Sequence, residues 1–198
     1  MESISVFEII KVGIGPSSSH TMAPWRAAEL FLEQIDNVLL ERITHINVTL
    51  YGSLAKTGKG HGTDVAVMLG LMGKDFKTID TSKIQSFIDE LILEKIILLK
   101  GNKQIAFDPD TDIIFDYSNK QLAHPNTMSF SIYSNGKLLL EKTYQSLGGG
   151  FVVEEGKANV VSKAKSYFPC HSAGEIFENC KRLKLSVSEL VFKNELAW

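Results

Sequence analysis

Cysteine is scarce in this 198-residue chain, which has only Cys170 and Cys180. Two thiols cannot staple a disulfide scaffold, and they fall short of the four thiolates that an iron–sulfur cluster or an all-cysteine zinc site normally takes. A surplus of charge is missing too, with 21 Lys+Arg against 23 Asp+Glu and a formal net charge of −2. Phosphate recognition usually shows as a basic excess, and no Lys/Arg run occurs, so nucleic acid is not an expected partner. The longest apolar stretches, such as 65–72 and 96–99, fall far short of the roughly 20 residues that cross a bilayer. The opening MESISVFEII has an acidic second residue, no basic leader and no small-residue cleavage site, so the expectation is a cytoplasmic protein without a signal peptide or membrane partner. What is present is ordinary: 44% hydrophobic and 22% charged residues describe a globular chain of one or two domains with a real core, and exclude disorder.

The periodicities place the elements. A short apolar opening over 4–10 meets the loop Gly13-Ile14-Gly15-Pro16-Ser17-Ser18-Ser19-His20-Thr21. Ala27, Leu30, Phe31, Ile35 and Val38 then recur at helical spacing, predicting a helix over about 22–37. Pro24 is tolerated only in a first turn, so Thr21 is the expected cap, with the serines and His20 just outside the helix. Ile46, Val48 and Leu50 alternate with polar residues as in a half-buried strand ending at Gly52. After Thr57-Gly58-Lys59-Gly60-His61-Gly62-Thr63-Asp64, the apolar run 65–72 reads as a buried helix with a small-residue face, capped by Thr63 or Asp64. Another amphipathic helix is expected over about 82–94, then hairpins joining 96–100 to 103–107 and 127–134 to 137–145 across Gly101-Asn102 and Asn135-Gly136. The intervening 108–126 reads as polar loop, and Gly148-Gly149-Gly150 as too flexible for a strand interior unless something approaches its backbone closely. Ser172 with Glu175 and Ser186 with Glu189 fit capping boxes for helices over about 173–183 and 187–198. A helix still in mid-pattern at Trp198 suggests a segment of something longer.

Three loops could carry chemistry. Small residues and hydroxyls entering a helix N-terminus, as in Gly13 to Thr21, suit a carboxylate or phosphate, although the P-loop lysine and glycine spacing are missing and a plain serine-rich turn would look the same. Glycines at 58, 60 and 62 clear room around His61, which Asp64 could orient as a general base; a flexible loop with an incidental histidine is the plain alternative. His124-Pro125-Asn126 joins a rigid turn to an amide that both donates and accepts. His45, on the polar face of a strand, and His171, beside a helix cap, read as structural. His20, His61 and His124 could in principle form a zinc site, but they lack any H-x-x-x-H spacing, so no metal bound by this chain alone is expected.

Taken in order, SVFEIIKVGIGPSSSHT, YGSLAKTGKGHGTD, HPNTM and YQSLGGGF resemble the N-terminal, or β, region of bacterial iron–sulfur L-serine dehydratases (L-serine ammonia-lyases), and the resemblance runs through the closing NELAW. Met22-Ala23-Pro24 stands where the family often has Val-Gly-Pro, and the cysteine-bearing α region that follows in the family is absent. The resemblance implies an α+β fold, a mostly antiparallel or mixed sheet flanked by helices, similar to the allosteric substrate-binding domain of some phosphoglycerate dehydrogenases. It implies a β domain over 1–150, with 151–198 a linker and two helices leading to the α region.

The activity so implied is β-elimination from L-serine to pyruvate and ammonia. A [4Fe–4S] cluster held by the α region, with ligands outside this chain, would serve as Lewis acid on the hydroxyl. His61 would then be the base, and Ser17, Ser18, Ser19 and Thr21 would hold the substrate carboxylate beside His20 and His124. Lys59, Asp64 and Asn126 complete the expected substrate-binding set. The expected partners are the α domain or α chain, L-serine and a second copy in a homodimer. In isolation the chain should lack dehydratase activity. The rival readings are a regulatory serine-binding module and a dimerisation module without catalytic residues.

Overall fold

The computed structural model describes residues 5–9, 11–118, 122–157 and 167–196, and the chain divides into a larger unit, 12–157, and a smaller one formed by 1–11 with 158–198. In the larger unit Ser17, not Thr21, begins the first helix. Its side chain accepts from the His20 N–H at 3.0 Å, and a π-helical turn, Ser18–Met22, runs straight into α1 (Ala23–Glu33). Ser18, Ser19 and His20 therefore sit inside the first turn rather than before it, with Pro24 at the start of the regular α-helical stretch. α1 stops at Glu33 instead of 37, because the Asp36 side chain accepts from Leu39 N at 2.7 Å and caps a separate helix, α2 (Asn37–Arg42).

β1 (His45–Tyr51) alternates buried and half-buried residues as its sequence predicts. Gly52 then turns the chain into an unforeseen short helix, α3 (Gly52–Thr57), and a 3₁₀ turn, Lys59–His61. α4 (Thr63–Leu71) is the predicted buried helix, although its cap position is Gly62 rather than Thr63 or Asp64. The small-residue face is used: a Cβ on Gly70 would lie 2.7 Å from the Ala28 Cβ and from the Trp25 carbonyl oxygen, so only glycine lets α4 lie this close to α1.

α5 (Ile84–Glu94) and the hairpin β2 (Ile96–Leu99) with β3 (Lys103–Ala106) follow as expected. The stretch read as loop instead holds a one-turn helix, α6 (Pro109–Asp112), and β4 (Ile113–Asp116), which pairs parallel to β1. β5 (Thr127–Ser134) and β6 (Lys137–Gly148) form the second hairpin, and β7 (Phe151–Glu154) adds a strand after the glycines. At the hairpin turn Asn135 and Gly136 have φ of 47° and 80°, the positive pair a tight two-residue turn demands. The sheet order is β4-β1-β5-β6-β7, mixed because of the β1–β4 pair. Ile46, Val48, Leu50, Met128, Phe130, Ile132 and Tyr144 belong to the buried core with residues of α1 and α4, and Phe130 stacks on Phe31 at 5.3 Å. The end of β1, the start of β5 and the end of β6 lie together at one end of this sheet's strands.

In the smaller unit, α7 (Ala173–Leu183) and α8 (Val187–Glu195) start where the capping pattern placed them. Ser186 and Glu189 make the full reciprocal box, whereas the Glu175 carboxylate accepts from His171 N–H rather than from Ser172. α8 ends at Glu195, and 197–198 of the predicted helix lie outside the described residues. Glu195 accepts from Ser5 Oγ and Val6 N at 2.6 and 2.8 Å, and buried Asn194 accepts from Phe168 N and donates to Phe168 O.

Candidate active site

Two helix N-termini and one strand end meet at the end of the sheet just described. His20 sits in the π turn, a local departure from α geometry that recurs at functional sites. Its Nδ1 lies 2.9 Å from Ser19 Oγ and its Nε2 3.0 Å from Ser53 Oγ. Behind it, Thr63 Oγ1 donates to the His20 carbonyl, and Thr21 Oγ1 donates to the His61 carbonyl at 2.8 Å. These crossed threonine bonds lace the starts of α1 and α4 together and fix the two histidines side by side, with ring centroids 5.0 Å apart.

His61 is oriented by α3, not by Asp64. Its Nδ1 lies 2.9 Å from the Thr57 carbonyl oxygen. A carbonyl only accepts, so Nδ1 carries a proton, and in the neutral ring the lone pair is on Nε2, the tautomer a general base requires. Burial, and then the neighbouring His61, push the His20 pKa below its ordinary 6.5, with a hydrogen bond to Ser53 acting the other way. His20 is consequently neutral near pH 7.

The third loop joins through main-chain bonds. Ser53 N donates to the Pro125 carbonyl at 2.8 Å, His124 Nδ1 accepts from Asn126 N at 3.1 Å, and Thr127 Oγ1 donates to the His124 carbonyl. Gly52, at φ +54°, makes this approach possible, since a Cβ there would fall 2.4 Å from the Pro125 oxygen. The predicted residues thus divide. His20 bonds both Ser19 and Ser53 and lies beside His61, Ser17 reaches Ser19, and the His124–Asn126 loop is joined to Ser53 through the Pro125 carbonyl, with Ser18 more exposed on the same turn. Thr21 faces inward, and its hydroxyl is committed to the His61 carbonyl. Lys59 Nζ lies over the Phe115 ring at 5.3 Å, and Asp64 accepts from Val65 N, so neither is directed at His61. His45 Nε2 lies 3.4 Å from Asp112 Oδ1 on the sheet, apart from this cluster. Ser53, Thr57 and Thr63 were missed as site residues; the glycine closing β1 is the only sequence signal that pointed toward Ser53.

Elsewhere, a cleft of about 530 Å³ lies beside α1, but Arg26 is bonded to Glu29 and Glu33, and Lys100 to the Ile35 carbonyl. Among the described residues no group of three or more His, Cys, Asp or Glu could hold a metal ion. The donor set does not fit an iron–sulfur cluster: the chain has two cysteines, and burial raises the Cys170 thiol pKa rather than favouring a thiolate. No described helix is long and apolar enough to cross a membrane.

The larger unit is an α+β fold whose mixed sheet is flanked by helices, and it sets a hydroxyl-lined helix N-terminus beside a pair of histidines. Residues 5–157 match the family described as serine dehydratase beta chain, and the chain belongs to that family. It is 39% identical over 201 residues to L-serine dehydratase 1 of Escherichia coli (strain K12), covering 98% of this chain and 43% of the relative. The L-serine dehydratase of Streptomyces coelicolor is 38% identical over 202 residues, 99% of this chain and 44% of its own length, and that of Helicobacter pylori (strain 26695) is 36% identical over 203 residues, all of this chain and 44% of its own. The chain therefore spans less than half the length of the relatives it matches.

Proposed function

We propose that this chain forms the substrate-holding and proton-accepting half of an L-serine ammonia-lyase, which converts L-serine to pyruvate and ammonia. The observation that carries the reading is the tautomer of His61: Nδ1–H is fixed on the Thr57 carbonyl and Nε2 is left as the acceptor, 5.0 Å ring to ring from a second histidine. In the reaction, Nε2 takes the α-proton of serine. The Cα–H electron pair becomes the Cα–Cβ double bond as the Cβ–O bond breaks and the oxygen leaves as hydroxide, which together with the proton held on Nε2 makes up the water lost; the enamine tautomerises to the imine and is hydrolysed to pyruvate and ammonia. The Ser17–Ser19 turn receives the carboxylate, where unpaired N–H groups and the helix dipole favour an anion. Neutral His20 and the His124–Asn126 loop bound the same space. A [4Fe–4S] cluster, which the donors of this chain do not fit, would be held by a region outside it and would supply a Lewis acid for the serine hydroxyl.

General-base catalysis contributes about 10²–10⁴-fold. His61→Ala in the complete enzyme, prepared anaerobically, is expected to lose turnover by that factor with cluster content unchanged. Near-normal pyruvate formation by that variant would overturn the assignment.

A further inference from the structure

We infer that Ser146 is a positioning residue of this site, acting through Asn126; the inference rests on the function just proposed and deepens it. Ser146 is fully buried, and its Oγ has no hydrogen-bond partner, the single such buried side-chain atom among the described residues. The other buried hydroxyls of the larger unit are all engaged: Thr21 on the His61 carbonyl, Thr63 on the His20 carbonyl, Thr127 on the His124 carbonyl, Ser131 on Glu141, and Ser129 with Tyr51. Native interiors rarely leave such a group unpaired, because desolvation is not repaid, and the exceptions concentrate where function constrains the residue.

Its place in the sheet supplies the reason. Thr127 pairs with Gln145, so Ser146 lies opposite Asn126, and Ser146 N donates to the Asn126 carbonyl at 2.9 Å. Cross-strand neighbours share a face. By the strand's alternation that is the face of buried Tyr144, and β6 packs against the Ser18–Met22 turn. An unpaired hydroxyl beside the one substrate-loop amide able both to donate and to accept is placed to bond that amide when serine draws Asn126 into its working position. The bond is then made in the liganded enzyme and missing in the free one, so ligand binding gains what folding gives up.

The complete enzyme tests this. Ser146→Ala removes no bond from the free protein, so its unfolding midpoint without ligand should be unchanged or higher, while the upward shift produced by saturating L-serine should shrink and kcat/KM should fall about tenfold. In an Asn126→Ala background the same substitution should cost nothing further, as expected when one residue acts through another. Ser146→Cys keeps the shape with a slightly larger atom and weakens the donor, and should fold normally with a partial loss. A lower ligand-free midpoint for both variants would mean the hydroxyl has a structural partner, and would overturn the inference, as would unchanged kcat/KM and an unchanged serine-induced shift. If His61→Ala abolishes turnover while Ser146→Ala does not reduce it, only the Ser146 inference falls; turnover that survives His61→Ala removes the reading on which both stand.

Discussion

Burial and the neighbouring His61 both hold His20 below its ordinary pKa of 6.5, so the folded chain binds fewer protons there than the unfolded chain does. The stability contribution is flat above pH 6.5, where the imidazole is neutral in both states, and declines as pH falls through 6.5 toward the depressed folded value. An imidazole titration followed by NMR should place the His20 midpoint below 6.5, and His61→Gln, which removes the neighbouring imidazole but not the burial, should move it upward. At this scale the sequence was half legible. His61 stood out because glycines flank it, and the serine-rich turn because hydroxyls precede a helical pattern. The groups that set their geometry did not stand out: Ser53 is 33 positions from His20, and Thr63 is 43. Asp64 looked like the orienting partner of His61 from its proximity in sequence, but the 3₁₀ turn carries the ring back over the end of α3, where the Thr57 carbonyl is already unpaired by the helix's termination.

Long periodic elements were readable and short ones were not. β1, α4, α5 and both hairpins followed from alternation, helical spacing and turn residues. α2, α3, β4 and β7 did not, because four to six residues hold too few repeats to show a period and depend on tertiary pairing. The junction between β1 and α3 is where this matters for function. Gly52 has φ +54°, and a Cβ would meet the Pro125 carbonyl oxygen, a backbone atom that also accepts from Ser53 N. Gly52→Ala should therefore combine left-handed strain with a weakened main-chain bond, a loss of about 2–4 kcal/mol in urea unfolding. It should also displace the His124–Asn126 loop from Ser53. If stability were lost at that level while the loop kept its amide chemical shifts, the strain would be local and the junction would not be what seats the loop.

On the proposed reading, this chain grips the serine carboxylate through a helix N-terminus alone. A carboxylate at a helix N-terminus gains about 0.3–2 kcal/mol, whereas a Kd of 1 mM needs about 4.1 kcal/mol. The remaining interactions, and the exclusion of water that strengthens them, have to come from the part of the enzyme that makes up more than half of each relative's length. If a [4Fe–4S] cluster is held outside this chain, as proposed, two cysteines are no deficit here. The isolated chain should accordingly show no binding of L-serine tighter than about 1 mM by calorimetry. It should also form no pyruvate after anaerobic cluster reconstitution, and both binding and turnover should appear once the remaining region is supplied. Submillimolar serine binding by the chain alone would instead make it an amino-acid-sensing module. In that case the His20–His61 pair would be a ligand clamp rather than half of a catalytic centre, and His61→Ala would weaken binding without touching kcat.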